Sequence, residues 1–250
     1  MDFEKEGEKA ILETFDRITL DEMNEVALMN RTDTKFVIAR SVFQEVLPQL
    51  KEHYRALEVE GTKINKYKTQ YFDTGSFQFY TDHHNERSLR YKVRIRKYVE
   101  SDIYFLEVKK KFKGRTNKKR IKINDFENEL SRGSIEYIEA VTGVPFQLES
   151  KLYNFFERIT LVNKYEKERL TIDLNLGFES PTDKIEFPHI VIAELKQEKV
   201  NRNSLFFKLM KQYGVRPNGF SKYCMGAMSL NPDLKNNNFK RKKLLINKLK

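Results

Sequence analysis

Arg90, Lys92, Arg94 and Arg96 stand at every second position of the segment "LRYKVRIRKY", with Leu89, Val93 and Ile95 among them. The β-branched residues favour an extended chain, whose successive side chains point to opposite faces. One face is then almost all cation and the other mostly apolar. The alternation recurs along the sequence. Glu107, Lys109 and Lys111 oppose Leu106 and Val108, while Arg120 and Lys122 oppose Ile121 and Ile123. Arg158, and then Arg169 with Asp173, are set against apolar neighbours, Glu194 and Lys196 end one face of "IVIAELK", and Arg31, Asp33 and Lys35 share a face of "RTDTKFVIA".

For any one strand, a half-buried sheet with its charges in water is the simplest account. Taken together, the cations outnumber the acids on these faces, whereas a surface built for solubility mixes signs. A sheet closed into a barrel with a polar interior would aim Arg and Lys from many strands at one axis. Buried like charges are stable only with a counter-charge. A short chain of phosphates is a suitable guest, because Arg presents planar forks to phosphate oxygens and Lys a compact charge.

The composition agrees with a polyanionic partner. The 250-residue chain carries a net charge of +11, unevenly placed. Residues 87–122 hold fifteen Lys/Arg against Glu100, Asp102 and Glu107, a local excess of 12. Residues 1–30 are acidic, with nine acids against three bases, and residues 231–250 are basic, with seven bases against one acid. A single cysteine, Cys224, excludes an internal disulfide framework and a Cys-based zinc site. No signal-peptide pattern opens the chain and no apolar run is long enough to span a bilayer, so a cytoplasmic protein is expected.

The elements that must position these residues read as α+β. Two short helices are expected within 3–29, divided near Thr19, which can cap a second helix with Glu22 three positions on. Strands follow at 31–39, 66–73, 88–98, 103–111 and 117–124, then a hairpin from Arg158 to Phe178 and a strand in "HIVIAELKQEK". Helices are expected after Ser41, over 132–142, over 149–155 and from Ser204 to Tyr213. The count is about eight strands, mostly antiparallel, with no repeat and no linker, hence one domain over 1–250 with a basic tail at 231–250.

The succession "RTDTKFVI", "YFDTGSFQFYTDHH", "RYKVRIRKY", "FLEVKKK", "KKRIKI", "IAELKQEK" and "RPNGFSKYCMGAMSL" resembles the bacterial VTC-domain proteins of the triphosphate tunnel metalloenzyme superfamily, from about residue 15 onward. That resemblance implies an eight-stranded antiparallel β-tunnel surrounded by helices. It also implies transfer of the γ-phosphoryl group of ATP to a growing polyphosphate chain with Mn²⁺ or Mg²⁺. By the same resemblance Arg94, Arg96, Lys109 and Arg158 hold the donor phosphates. Lys35, Arg31, Lys196, Ser221 and Lys222 join them as phosphate contacts, with Lys119 or Lys122 as a further lysine whose register the sequence leaves open. Glu194 matches the metal-binding glutamate, with Glu107 a weaker candidate that also suits balancing nearby cations.

Three departures stand out. The superfamily's opening Glu-x-Glu-x-Lys is here Arg31, Asp33 and Lys35, which leaves Asp33 open between metal ligation and a salt bridge. Phe156 and Gly219 replace two phosphate-contacting residues of the eukaryotic polymerase. His83 and His84 are adjacent and read as structural, Asp73 as a cap, and Cys224 as a core thiol. A tunnel triphosphatase and a non-catalytic polyphosphate-binding module are the alternatives to the polymerase. Nucleic acid fits less well, since no recognition helix or aromatic RNA-binding sheet is apparent. The tail "KRKKLLINKLK" is read first as a solvated helix end, with an anionic membrane, a protein partner or polyphosphate itself as its other partners.

Overall fold

The computed structural model describes residues 2–25 and 31–250. Period-2 alternation over eight segments builds one antiparallel path. In chain order the strands are β1 (Arg17–Ile18), β2 (Thr32–Ala39), β3 (Tyr54–Leu57), β4 (Asn65–Asp73), β5 (Leu89–Tyr98), β6 (Ile103–Phe112), β7 (Arg115–Ile123), β8 (Glu149–Asn163), β9 (Glu168–Glu179), β10 (Lys184–Phe187) and β11 (Ile190–Gln197). The eight-stranded path runs β2-β11-β9-β8-β4-β5-β6-β7, with β1, β3 and β10 appended at its margins. It curls into a half-barrel; among the described residues β2 and β7 end the path without pairing to each other.

The helices are α1 (Asp2–Glu13), α2 (Leu20–Glu25), α3 (Arg40–Val46), α4 (Gln78–His84), α5 (Arg132–Thr142), α6 (Leu205–Gln212), α7 (Lys222–Leu230) and α8 (Lys240–Lys248). The Thr19 cap of α2 is present: Thr19 N donates to Glu22 Oε2 at 2.8 Å and Glu22 N to Thr19 Oγ1 at 3.3 Å. The remainder of the helical segment expected to reach residue 29 lies outside the described residues. Residues 149–155, expected as a helix, form the first half of β8. The stretch 74–88, between two expected strands, contains α4.

The apolar faces of the strands meet the helices on the convex side. Phe36, Ile38, Ile159, Leu161, Leu170, Ile172, Val191 and Leu195 pack with α1, α3 and α6, while Tyr91, Val93, Leu106 and Val108 pack with Ile138 of α5. The polar residues at alternate positions therefore line the concave side. One helix enters that side. Tyr223, Cys224, Met225 and Met228 of α7 pack on Val37, Tyr71, Phe156 and Ile192, which share the concave parity of Lys35, Arg158 and Glu194. Gly226 permits this approach, since a Cβ there would lie 2.4 Å from Phe178 Cδ1. A mid-helix glycine costs about 1 kcal/mol against alanine; here it lets the helix backbone reach the sheet. The C-terminal segment is docked too, with Ile246 of α8 buried in the same cluster and Leu244 left exposed.

Candidate functional site

Register decides which side chains converge. β5 and β6 set Arg94 opposite Glu107 and Lys92 opposite Lys109. The β6–β7 turn is Lys113-Gly114, both with positive φ (46° and 83°), the backbone of a two-residue hairpin turn. It pairs Lys109 with Lys118 and Glu107 with Arg120. On the other half, Glu194 pairs with Lys35, and Lys196 with Asp33 on one side and Arg169 on the other. Arg158 opposes Asp173 on β9 and Asn65 on β4.

Four carboxylates on this face are held by cations. Glu107, 1 % exposed, accepts from Arg94 Nε at 2.7 Å and Nη2 at 2.6 Å and pairs with Lys118. Asp173 accepts both Arg158 Nε (2.6 Å) and Nη2 (2.8 Å) and pairs with Lys222. Glu194 is shared by Lys35 and Lys196, and Asp33 pairs with Arg31 at 3.2 Å. Burial alone would raise the Glu107 and Asp173 carboxyls. Arg94, Arg96 and Lys118 around the first, and Arg158 and Lys222 around the second, hold both well below the usual carboxylate range.

The cations carry the cost of crowding. Burial, then the neighbouring Lys196, pushes Lys35 down to about 7. Burial and Arg158 do the same to Lys196, also to about 7. Lys109, Lys118 and Lys222 are lowered to about 8, in each case mainly by burial. After burial and its nearer neighbours, Lys109 on β6 also lowers Lys35 on β2, and Lys196 on β11 lowers Lys109.

Tyr67 and Phe156 stack at the centre with centroids 5.1 Å apart and planes at 3°. The Arg158 guanidinium lies 5.1 Å from each ring, Arg96 5.6 and 5.7 Å, and Lys222 4.3 Å from Phe156. Where the resemblance led us to expect a lost phosphate contact, Phe156 supplies an aromatic face for three cations.

The expected residues fall into two groups. Lys35, Arg94, Arg96, Lys109, Arg158, Lys196, Lys222, Glu107 and Glu194 share the concave face, and Arg31 stands at one rim. Ser221 caps α7, accepting from Cys224 N at 3.3 Å, and its Oγ accepts from Lys92 Nζ at 2.9 Å. Lys119 opposes Val108 and is exposed on the convex side, and Lys122 is exposed near the strand end. Lys118 and Arg120 take the inward places. Their signal was present: counting back from a Lys113-Gly114 turn fixes the register. Lys92 and Arg169, read only as members of charged strand faces, and Tyr67, not read at all, also stand on the concave face.

Asp73 is structural, as expected. It accepts from the backbone N–H of Thr74, Phe79 and Tyr80 at 2.8, 2.8 and 2.9 Å and from the Tyr223 hydroxyl, tying α4 to α7. His84 is buried against Asn238, whose N–H meets Nε2 at 3.2 Å, and burial with Lys92 and Arg90 nearby pushes His83 down to about 2. Cys224 is buried, which raises its thiol.

No group of three His, Cys, Asp or Glu side chains able to hold a metal ion occurs among the described residues. Glu107 has Arg94 and Lys118 on its oxygens, and Glu194 is one carboxylate between two lysines. Among the described residues, side chains alone thus do not gather the several oxygen ligands that the expected Mn²⁺ or Mg²⁺ prefers.

At the rim formed by the β5–β6 turn and the start of β2, the concave face opens into a cavity of about 470 Å³. Arg31, Arg96, Lys118, Arg120, Arg158, Arg169 and Lys196 line it. No helix is long and apolar enough to cross a membrane among the described residues.

Residues 30–231 match the VTC domain family. Among solved structures, the fold is similar to a putative adenylyl cyclase from Hippeastrum described as having a dominant triphosphatase activity, with a TM-score of 0.51, 17% identity, and 83% of this chain and 98% of that one covered. A putative adenylate cyclase from Bacillus halodurans matches with a TM-score of 0.49 and 15% identity over 77% of this chain and 96% of that one. No curated protein matches the chain.

Proposed function

Since the chain belongs to the VTC domain family, we propose that it is a polyphosphate polymerase, moving the γ-phosphoryl group of ATP onto the end of a polyphosphate chain and releasing ADP. The observation that carries this reading is the surplus of concave cations over carboxylates, converging from strands far apart in sequence. Phosphoryl transfer asks little covalent help of a protein; it asks for in-line positioning and neutralised charge. In this reading Arg94, Arg96 and Arg158 grip the donor phosphates, the first and last aimed by Glu107 and Asp173. Lys109, Lys118 and Arg120 neutralise the transferred group, and Lys35, Lys196 and Lys222 guide the acceptor. The bond between the β–γ bridging oxygen and the γ-phosphorus breaks as an oxygen of the acceptor's terminal phosphate bonds to it. That oxygen is already ionised at neutral pH, so no general base is needed. A Mn²⁺ or Mg²⁺ ion, as the family resemblance implies, would meet Glu194 and draw its other ligands from phosphate.

A tunnel triphosphatase is the second reading, favoured by the activity described for the Hippeastrum protein; the same cations would then serve a water molecule as nucleophile. The deciding experiment incubates the purified protein with ATP and Mn²⁺, Mg²⁺ or chelator, with and without a short polyphosphate primer, and resolves the products on a gel beside Arg94→Ala/Arg96→Ala. We expect chains longer than the primer from the wild type and none from the variant. ADP and free phosphate without chains would replace the polymerase by a triphosphatase. Triphosphate binding without ADP would leave a non-catalytic polyphosphate-binding module.

A further inference from the structure

At the ends of β5 and β6 remote from the cavity, the convex side leaves large apolar groups in solvent. Leu89 and Phe112 are cross-strand partners there, 38 % and 48 % exposed. Tyr91, two residues on from Leu89, donates its hydroxyl to Thr142 O at 3.2 Å. That contact brings the end of α5, with Val144 40 % exposed, to the same end of the sheet. The surroundings are cationic. Residues 87–92 and 109–115 hold eight Lys/Arg and no acid. Lys113 Nζ lies 5.4 Å from the centre of the Phe112 ring, and Lys110 Nζ 5.7 Å from that of Tyr91. After burial, the charges of Lys92, Arg90, Lys242 and Lys111 are what lower His83, so Lys242 of α8 stands at this end too.

Exposed apolar groups gathered within a polar frame mark an interaction surface. A phosphate chain or a nucleic-acid backbone answers the cations but leaves Leu89 and Val144 in water, and aliphatic side chains offer a base no stacking platform. An anionic bilayer answers both. Lysine and arginine stems lie along its apolar boundary with their charges at the headgroups, while apolar tips enter the interface. We propose that this end of the sheet docks on an anionic membrane surface, with Leu89 and Phe112 entering the interface and Lys110, Lys111, Lys113 and Arg115 held at the headgroups. β5 and β6 have ten residues each, about 30 Å of strand. A protein docked by this end therefore keeps the phosphate cavity at the other end clear of lipid. The proposal concerns a surface and holds whichever phosphoryl reaction the concave face carries.

The test is co-sedimentation of the purified protein with vesicles of phosphatidylcholine alone and of phosphatidylcholine mixed with phosphatidylglycerol. The proteins compared are the wild type, Leu89→Ser/Phe112→Ser and Lys113→Glu/Arg115→Glu. The wild type is expected to pellet with the mixed vesicles and not with phosphatidylcholine alone. The apolar variant should lower the partition by about five- to twenty-fold, and the charge-reversed variant by about ten-fold or more. All four side chains are exposed, so both variants should fold, and the apolar one should keep its affinity for tripolyphosphate within about two-fold of the wild type. No binding to the mixed vesicles overturns the proposal, as does equal binding to both kinds of vesicle. Equal binding of the mixed vesicles by wild type and Leu89→Ser/Phe112→Ser overturns it as well, leaving a plain attraction of charge that nucleic acid or polyphosphate would share.

Discussion

The two halves of the concave face are built from the same residue types to different balance. On β2, β11, β9 and β8, the cations Arg31, Lys35, Arg158, Arg169 and Lys196 share the face with Asp33, Asp173 and Glu194. On β5, β6 and β7, Lys92, Arg94, Arg96, Lys109, Lys118 and Arg120 share it with Glu107 alone. The first half, with five cations to three carboxylates, is the better balanced. The second carries the surplus, and an anion is what it lacks. The two halves of one continuous sheet thus differ in how far their cations are already paired.

The largest break in this comparison should come from the balanced half. Asp173→Asn leaves Arg158 and Lys222 buried without their carboxylate, and breaking such a pair costs about 3–5 kcal/mol, to be read from urea unfolding. Added tripolyphosphate should restore part of it, because a ligand of the folded state stabilises that state. An unchanged midpoint would mean that the balance is not structural.

A pH series sharpens the contrast. Five lysines are lowered from 10.5 to about 7 or 8, so between these values and 10.5 the unfolded chain binds more protons than the folded one. Stability of the ligand-free protein should then rise as pH increases from 7 to 9. Affinity for tripolyphosphate should fall over the same interval, since the protonated lysines are the ones that bind. Thermal melts and titrations at matched ionic strength give both curves; parallel trends would refute the surplus.

The smallest effect on stability belongs to the surplus half. Lys109 reaches solvent at its surface although its crowded cationic surroundings desolvate its ammonium, and it makes no ion pair among the described residues. Lys109→Ala should alter unfolding free energy by less than about 0.5 kcal/mol while weakening tripolyphosphate. A loss comparable to that of Asp173→Asn would erase the difference between the halves.

The alternation in "RIR", "LEVK" and "AELK" made the concave face legible, because a period of two admits only one partition of side chains. What it could not fix was parity across a turn or a bulge. The segment 149–155 was expected to be helical. In the structure the β8–β9 register shifts between Phe155 and Glu157, and such a bulge breaks alternation. Lys119 was kept beside Lys122 for want of the hairpin register that Gly114 determines. α4 was hidden because its cap, Asp73, belongs to the preceding strand. α7 was not expected on the concave side, since apolar residues all around "YCMGAMSL" say that a helix is buried without saying where.

The pairing of β2 with β11 has a consequence for how the molecule is made. Among the described residues β11 is the only neighbour of β2, and Lys35 meets Glu194 across a separation of 159 residues. Contacts this distant close late, because a long loop must lose its entropy before the ladder repays it. Hairpins such as β5–β6–β7 can form as soon as they leave the ribosome. The cationic surplus is therefore assembled first, and the strand that brings Lys35 and Asp33 to it waits for nearly the whole chain. A polyanion present during synthesis would meet the cationic hairpins before the sheet is complete.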